Sequence, residues 1–144
     1  MMIIDGKKEA EILRQEIKKE IESLKSKDKQ VPGLTVILIG DFAPSQIYVK
    51  NKEKSAKEVG INSNVVRYSK EVTEEEVLKK IEDLNNDTSV SGILVQLPLP
   101  PQINKEKIIN AVSPKKDVDG FHPMNAGNLS SGHNALVPCT PLGC

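Results

Sequence analysis

Aromatic residues are scarce in this sequence: two Tyr, two Phe and no Trp make up 3% of its 144 residues. That leaves little surface for stacking nucleic-acid bases. An excess of charge of one sign is missing too, because 20 basic residues face 20 acidic ones, so no general field gathers a polyanion. Nucleic acid is not an expected partner. Cysteine is limited to Cys139 and Cys144, too few for a disulfide framework and without the two-residue spacing of a metal knuckle, so no metal is expected. No apolar run approaches the ~20 residues of a membrane span, and Met1 to Lys8 lacks the apolar core of a signal peptide. The expectation is a cytoplasmic protein that does not enter a membrane. Phosphate-cradling glycine patterns of the GxGxxG or GxxxxGK kind are absent as well.

What is present is the composition of a folded domain, 38% hydrophobic and 28% charged, long enough to bury well over half of its unfolded surface. From Lys7 to Lys27 the apolar residues Ala10, Leu13, Ile17, Ile21 and Leu24 recur at helical spacing, which predicts an amphipathic helix with one inward stripe. Leu34 to Ile39 is an unbroken aliphatic and β-branched run and reads as a buried parallel strand. Ser45 is positioned to cap a helix that ends near Val59 at Gly60, and a second strand follows from Asn62 to Tyr68. Thr73 and Glu76 have capping-box spacing ahead of the stripe Val77, Leu78, Ile81 and Leu84. Ser91 to Gln96 reads as a third strand, which Leu97-Pro98-Leu99-Pro100-Pro101 must end because proline removes ladder donors. A short helix is expected from Asn104 to Val112, and Ser113 to Cys144 reads as irregular. This alternation implies an α/β fold, a three-layer αβα domain with a mainly parallel sheet.

Ligands of such sheets bind beyond the carboxyl ends of the strands, which directs attention to Gly40 to Lys52 and to Gln96 to Pro101. Ser45, Tyr48 and Lys52 are spaced three and four apart, so a helix brings a hydroxyl, a phenol and an amine to one side. A lysine serves as a general base only if its pKa falls from about 10.4 toward neutrality. The plain alternatives are a solvated lysine and a half-buried tyrosine. Gln96 interrupts an apolar run and needs hydrogen-bond partners if buried. In Lys116-Asp117-Val118-Asp119-Gly120 two carboxylates flank a turn, for which a solvated loop is the plain reading. His122 and His133 show no ligand spacing and read as structural.

Several of these strings together, Val36 to Asp41, Pro44 to Lys52, Gly92 to Pro100, Lys116 to Phe121 and Pro138 to Pro141, resemble the bifunctional methylenetetrahydrofolate dehydrogenase/methenyltetrahydrofolate cyclohydrolase family in order and spacing. The resemblance spans essentially the whole chain. It implies oxidation of 5,10-methylenetetrahydrofolate with NADP or NAD, followed by hydrolysis of the methenyl form to 10-formyltetrahydrofolate. It further implies that Lys52 is the key catalytic residue, that Tyr48 positions folate and lysine, and that Gln96 orients the lysine. Asp119 would anchor the pterin, with Ser45, Pro98, Leu99 and Pro100 beside the substrate.

Family members continue into a Rossmann domain with a glycine-rich cofactor loop. The resemblance therefore implies that residues 1–144 are the tetrahydrofolate-binding catalytic domain of a longer homodimeric enzyme. NADP would be held by the domain not present here, no cofactor by these residues, and 122–144 would be irregular and partly disordered. The competing expectations are an inactive folate-binding fragment or interaction module, and an α/β regulatory domain with no reaction.

Overall fold

A computed structural model of the chain describes residues 5–143; the opening Met1–Ile4 and Cys144, both weighed above, lie outside the described residues. The elements follow one another as α1 (Gly6–Ser26), β1 (Gly33–Ile39), α2 (Ala43–Val59), β2 (Asn62–Tyr68), α3 (Glu74–Asn86), β3 (Gly92–Val95), α4 (Lys105–Ala111), α5 (Pro123–Ser130) and α6 (Cys139–Gly143). The three strands form a parallel sheet in the order β2-β1-β3. The α/β class and the parallel sheet expected from the aliphatic runs are both present.

Alternation along β1 divides the core. Ile37 and Ile39 pack with Val77, Ile81 and Leu84 of α3 and Ile108 of α4 on one face. Val36 and Leu38 pack with Val49 of α2 and Leu94 of β3 on the other. Because β1 is central and covered on both sides, it tolerates no polar alternation, and its sequence is accordingly apolar throughout except for the buried Thr35. The local punctuation forms as expected: Thr73 and Glu76 make both bonds of a capping box, and Gly60 ends α2 in the left-handed region.

Three expectations need correction. Ser45 does not cap α2; the helix begins at Ala43 after Phe42, which has no side-chain cap bond, with Pro44 in its first turn. Pro44 lacks an amide hydrogen and fits where that donor has no partner anyway. The stripe of α1 is buried at Ile21 alone, whereas Leu13 is 56% exposed. At 21 residues α1 is about 31 Å long, and only its carboxyl-terminal half carries a buried residue. Finally, the stretch expected to be irregular contains α5, whose first turn is capped by His122 Nδ1 accepting from the Met124 N–H, and the short α6.

Among the described residues no helix is long and apolar enough to cross a membrane. The two-sided core predicts a sharp contrast between apolar positions in urea denaturation. Ile81→Ala, at a fully buried site, is expected to lower the unfolding free energy by about 2–5 kcal/mol. Leu13→Ala should change it by less than about 0.5 kcal/mol; equal losses would show that the outer face of α1 belongs to the core.

Candidate functional site

From the central strand β1 the chain leaves through α2 toward β2 and returns through α3 to β3 on the other side. The order in which strands are added reverses between β1 and β3, and a crevice opens at their carboxyl ends. The Gly40–Phe42 turn and the amino-terminal turns of α2 lie at one side of it, the segment after Val95 at the other. Gln96 extends the ladder by one more bond, its N–H donating to Ile37 O at 2.9 Å.

Helix α2 turns Ser45, Val49, Lys52, Ala56 and Val59 toward the sheet; all but Lys52 are buried. A charged residue in this stripe has apolar neighbours one turn away on each side, so its amine must extend to a polar acceptor at the rim. It finds one: Lys52 Nζ lies 3.5 Å from Gln96 Oε1, the outer limit of a hydrogen bond. The other end of the Gln96 amide donates from Nε2 to Leu97 O at 2.9 Å, which fixes which way the amide points. The Ser45 hydroxyl donates to the same Leu97 carbonyl at 3.3 Å. Ser45 is 4% exposed; its hydroxyl faces protein and holds the turn after β3 against α2. Tyr48 stands one turn before Lys52 and is 63% exposed, so its ring lies open beside the amine.

Asp119 approaches from the segment that follows α4. Its carboxyl shares a cleft with Val95, Leu97 and Phe121, and burial there pushes its pKa up; the positive charge of Lys52 works against this and the negative charge of Asp117 adds to it. Asp119 accepts no hydrogen bond from the described residues, whereas Asp117, two positions earlier, is buried and accepts from the His122 N–H at 2.8 Å and from Asn125 Nδ2 at 2.9 Å. The plain reading of this loop as solvated is therefore corrected. Its backbone continues the sheet: Asp117 pairs in parallel with Ile93, and Ile93 N donates to Lys116 O at 2.7 Å. Gly92 lets it come so close that a Cβ there would meet Val118 Cγ1 at 2.5 Å. Gly120 then turns with φ +67°, and a Cβ on it would meet Leu136 O at 2.5 Å.

Lys52 and Gln96 thus meet at the crevice with Tyr48 one helical turn away, and Asp119 lies near enough for the Lys52 charge to act on its carboxyl. Of the proline segment, Pro98 is exposed at the rim after a cis Leu97–Pro98 bond, Pro100 is half-buried, and Leu99 packs against the core beneath. Asp117 and Asn125 carried no role in the sequence reading. Two carboxylates two positions apart beside a strand face the same side, so alternation does not separate them; Asn125, which binds Asp117, does.

The turn into α2 is no pyrophosphate cradle: such a cradle presents several free amide donors at a helix start, whereas this one carries the Asp41 carboxylate and Pro44, which has no amide hydrogen. No group of three or more His, Cys, Asp or Glu suited to a metal occurs among the described residues.

Fold and site together define an α/β domain with a polar crevice at a sheet switch point, the place where ligands of such sheets bind. The profile of the tetrahydrofolate dehydrogenase/cyclohydrolase catalytic domain matches residues 4–119, and the chain belongs to this family. It is 62% identical over 144 residues to the bifunctional protein FolD of Pelagibacter ubique, covering 100% of this chain and 51% of that protein. Among solved structures it is similar to the bifunctional FolD dehydrogenase/cyclohydrolase of Campylobacter jejuni, at 47% identity and a TM-score of 0.91, covering 96% of this chain and 49% of the other. It is also similar to the Trypanosoma brucei dehydrogenase-cyclohydrolase solved with NADP cofactor and inhibitor, at 34% identity and a TM-score of 0.92, covering 96% and 48%. The chain spans about half the length of the relatives it matches.

The environment of Asp119 gives a stability prediction. A carboxyl whose folded pKa lies above its unfolded value holds its proton more tightly when folded, so stability is lost as pH rises through that window. Asp119→Asn removes this loss. Urea midpoints of parent and variant should diverge in favour of the variant as pH rises from about 4 to 7; a constant offset across that range would contradict the assignment.

Proposed function

We propose that this chain is the folate-binding catalytic domain of an enzyme that interconverts one-carbon tetrahydrofolates, oxidising 5,10-methylenetetrahydrofolate and hydrolysing the methenyl product to 10-formyltetrahydrofolate. The observation that carries the proposal is the single lysine in the sheet-facing stripe of α2, its amine directed at Gln96 Oε1 in the crevice that Asp119 also enters. Family membership supports the substrate class.

Asp119, with no partner of its own, suits the amino-pyrimidine edge of the pterin, where a carboxylate accepts two N–H donors side by side. The ring of Tyr48 offers an open apolar face beside Lys52. In the hydrolytic step water oxygen bonds to the methenyl carbon, which carries the positive charge shared between N5 and N10. The proton lost from that water passes to the Lys52 amine. Collapse of the adduct then breaks the bond to N5, which takes up a proton as the hydroxyl gives one up, and leaves the formyl group on N10 with one proton released overall. Gln96 keeps the amine directed at this carbon through the fixed orientation of its amide. NADP would supply the hydride acceptor for the oxidation; the turn into α2 offers its pyrophosphate no cradle, and on the resemblance alone it belongs to a further domain of a cytoplasmic homodimeric enzyme.

Loss of methenyl absorbance on addition of the protein tests this reading. Lys52→Ala is expected to lower the rate by about two to four orders of magnitude while folate binding persists. Asp119→Ala should weaken folate binding about tenfold or more, as expected for loss of a charge-assisted pair. An undiminished hydrolytic rate in Lys52→Ala would overturn the catalytic role.

A further inference from the structure

Resting on that reading, we infer that the buried Asp117–Asn125 pair is a positioning device for substrate binding, setting the turn that presents Asp119 to the pterin. Asp117 is 5% exposed and Asn125 is 7% exposed. The Asn125 amide donates both to Asp117 Oδ2 at 2.9 Å and to Pro114 O at 2.9 Å, so one side chain of α5 spans the loop at two points. The same Oδ2 receives the His122 N–H at 2.8 Å, and Gly120 N donates to Asp117 O at 3.3 Å. The Asp117 side chain and carbonyl therefore bind Gly120, His122 and Asn125, and so close the turn around Asp119 from the residue two positions before it to those that follow it.

The far end of the loop is equally constrained. Lys116 Nζ donates to Leu84 O at 2.9 Å and Asp87 O at 2.7 Å, at the carboxyl end of α3 where a cation is favoured. Between these anchors the backbone is bridged to Ile93. Strand alternation then fixes the outcome: with Asp117 held inward, Val118 packs toward the sheet and Asp119 is delivered to the crevice. A buried carboxylate with this many partners is far more than a surface turn needs. Loss of one donor leaves it under-satisfied and frees the turn, and a misplaced Asp119 binds substrate less well without altering what Lys52 does.

A double-mutant cycle tests this. Asn125→Ala is expected to raise KM for the methenyl substrate about tenfold with kcat within about twofold, measured where circular dichroism shows the variant folded. In the Asp119→Asn background the same change should have little further effect on KM, because the residue it acts through is already altered. If Asn125→Ala does not fold, Asn125→Ser, which retains one donor, reads the same cycle. An unchanged KM, or an effect of equal size in both backgrounds, would overturn the positioning role and leave only a structural one. The parent and Lys52→Ala are assayed alongside: a Lys52→Ala variant with full activity sinks the proposed function itself, whereas its loss together with an uncoupled Asn125 sinks only this inference.

Discussion

A parallel sheet whose chain leaves the central strand in two directions cannot close over its own carboxyl edge, and that constraint organises this domain. Parallel strands need long crossovers; α2 supplies one and α3 the other, on opposite faces of β1. The crevice between β1 and β3 is what neither helix covers. Its walls are then set by where each crossover starts. Helix α2 begins shortly beyond β1, which brings its first three turns, and so Tyr48 and Lys52, to the opening. The segment after β3 cannot extend the strand because of its prolines, so it folds across the same opening and carries Gln96 into it.

The polar groups around the crevice form a graded series. The Leu97 carbonyl is bound twice, by Ser45 and by Gln96, and links the two walls. Asp117 is bound by a main-chain donor and a side-chain donor. Lys52 reaches one acceptor at long range, and Asp119 has none among the described residues. Satisfaction therefore decreases from the supports toward the groups proposed to act on substrate. Groups left incompletely bonded in a partly apolar place reduce stability, and a fold retains them where a ligand completes the bonding. The upward displacement of the Asp119 pKa by burial is the same cost expressed in protonation.

Much of the fold was legible because it rests on local chemistry. The run Val36 to Ile39 can only be a strand buried on both faces, and Thr73 with Glu76 starts a helix wherever it is placed. What failed was nonlocal. A serine near a helix start is a good capping candidate on composition, but Ser45 is drawn inside by the Leu97 carbonyl, 52 positions away in sequence. The stripe of α1 was visible, yet a stripe does not say how far its covering layer extends. Of the site, Lys52, Gln96 and Asp119 were named through resemblance, and Lys52 reaches Gln96 while its charge acts on Asp119, but spacing alone grouped Ser45, Tyr48 and Lys52 without distinguishing the buried hydroxyl from the open ring.

The pair Asp117 and Asp119 shows why resemblance and physics were both needed. The two residues are chemically identical and sit two apart in one turn, so no property of either side chain assigns them different work. Their environments do. A side-chain donor from α5 and the main-chain amide of His122 satisfy one carboxylate inside the protein, while Val95, Leu97 and Phe121 beside the other offer it no hydrogen bond. Carboxylates separated in this way take separate roles: the satisfied one shapes the backbone, and the unsatisfied one retains its full accepting capacity for a molecule that brings donors. The division depends on α5, an element that local sequence signals left among the loops, and moving Asn125 by a single residue would remove it.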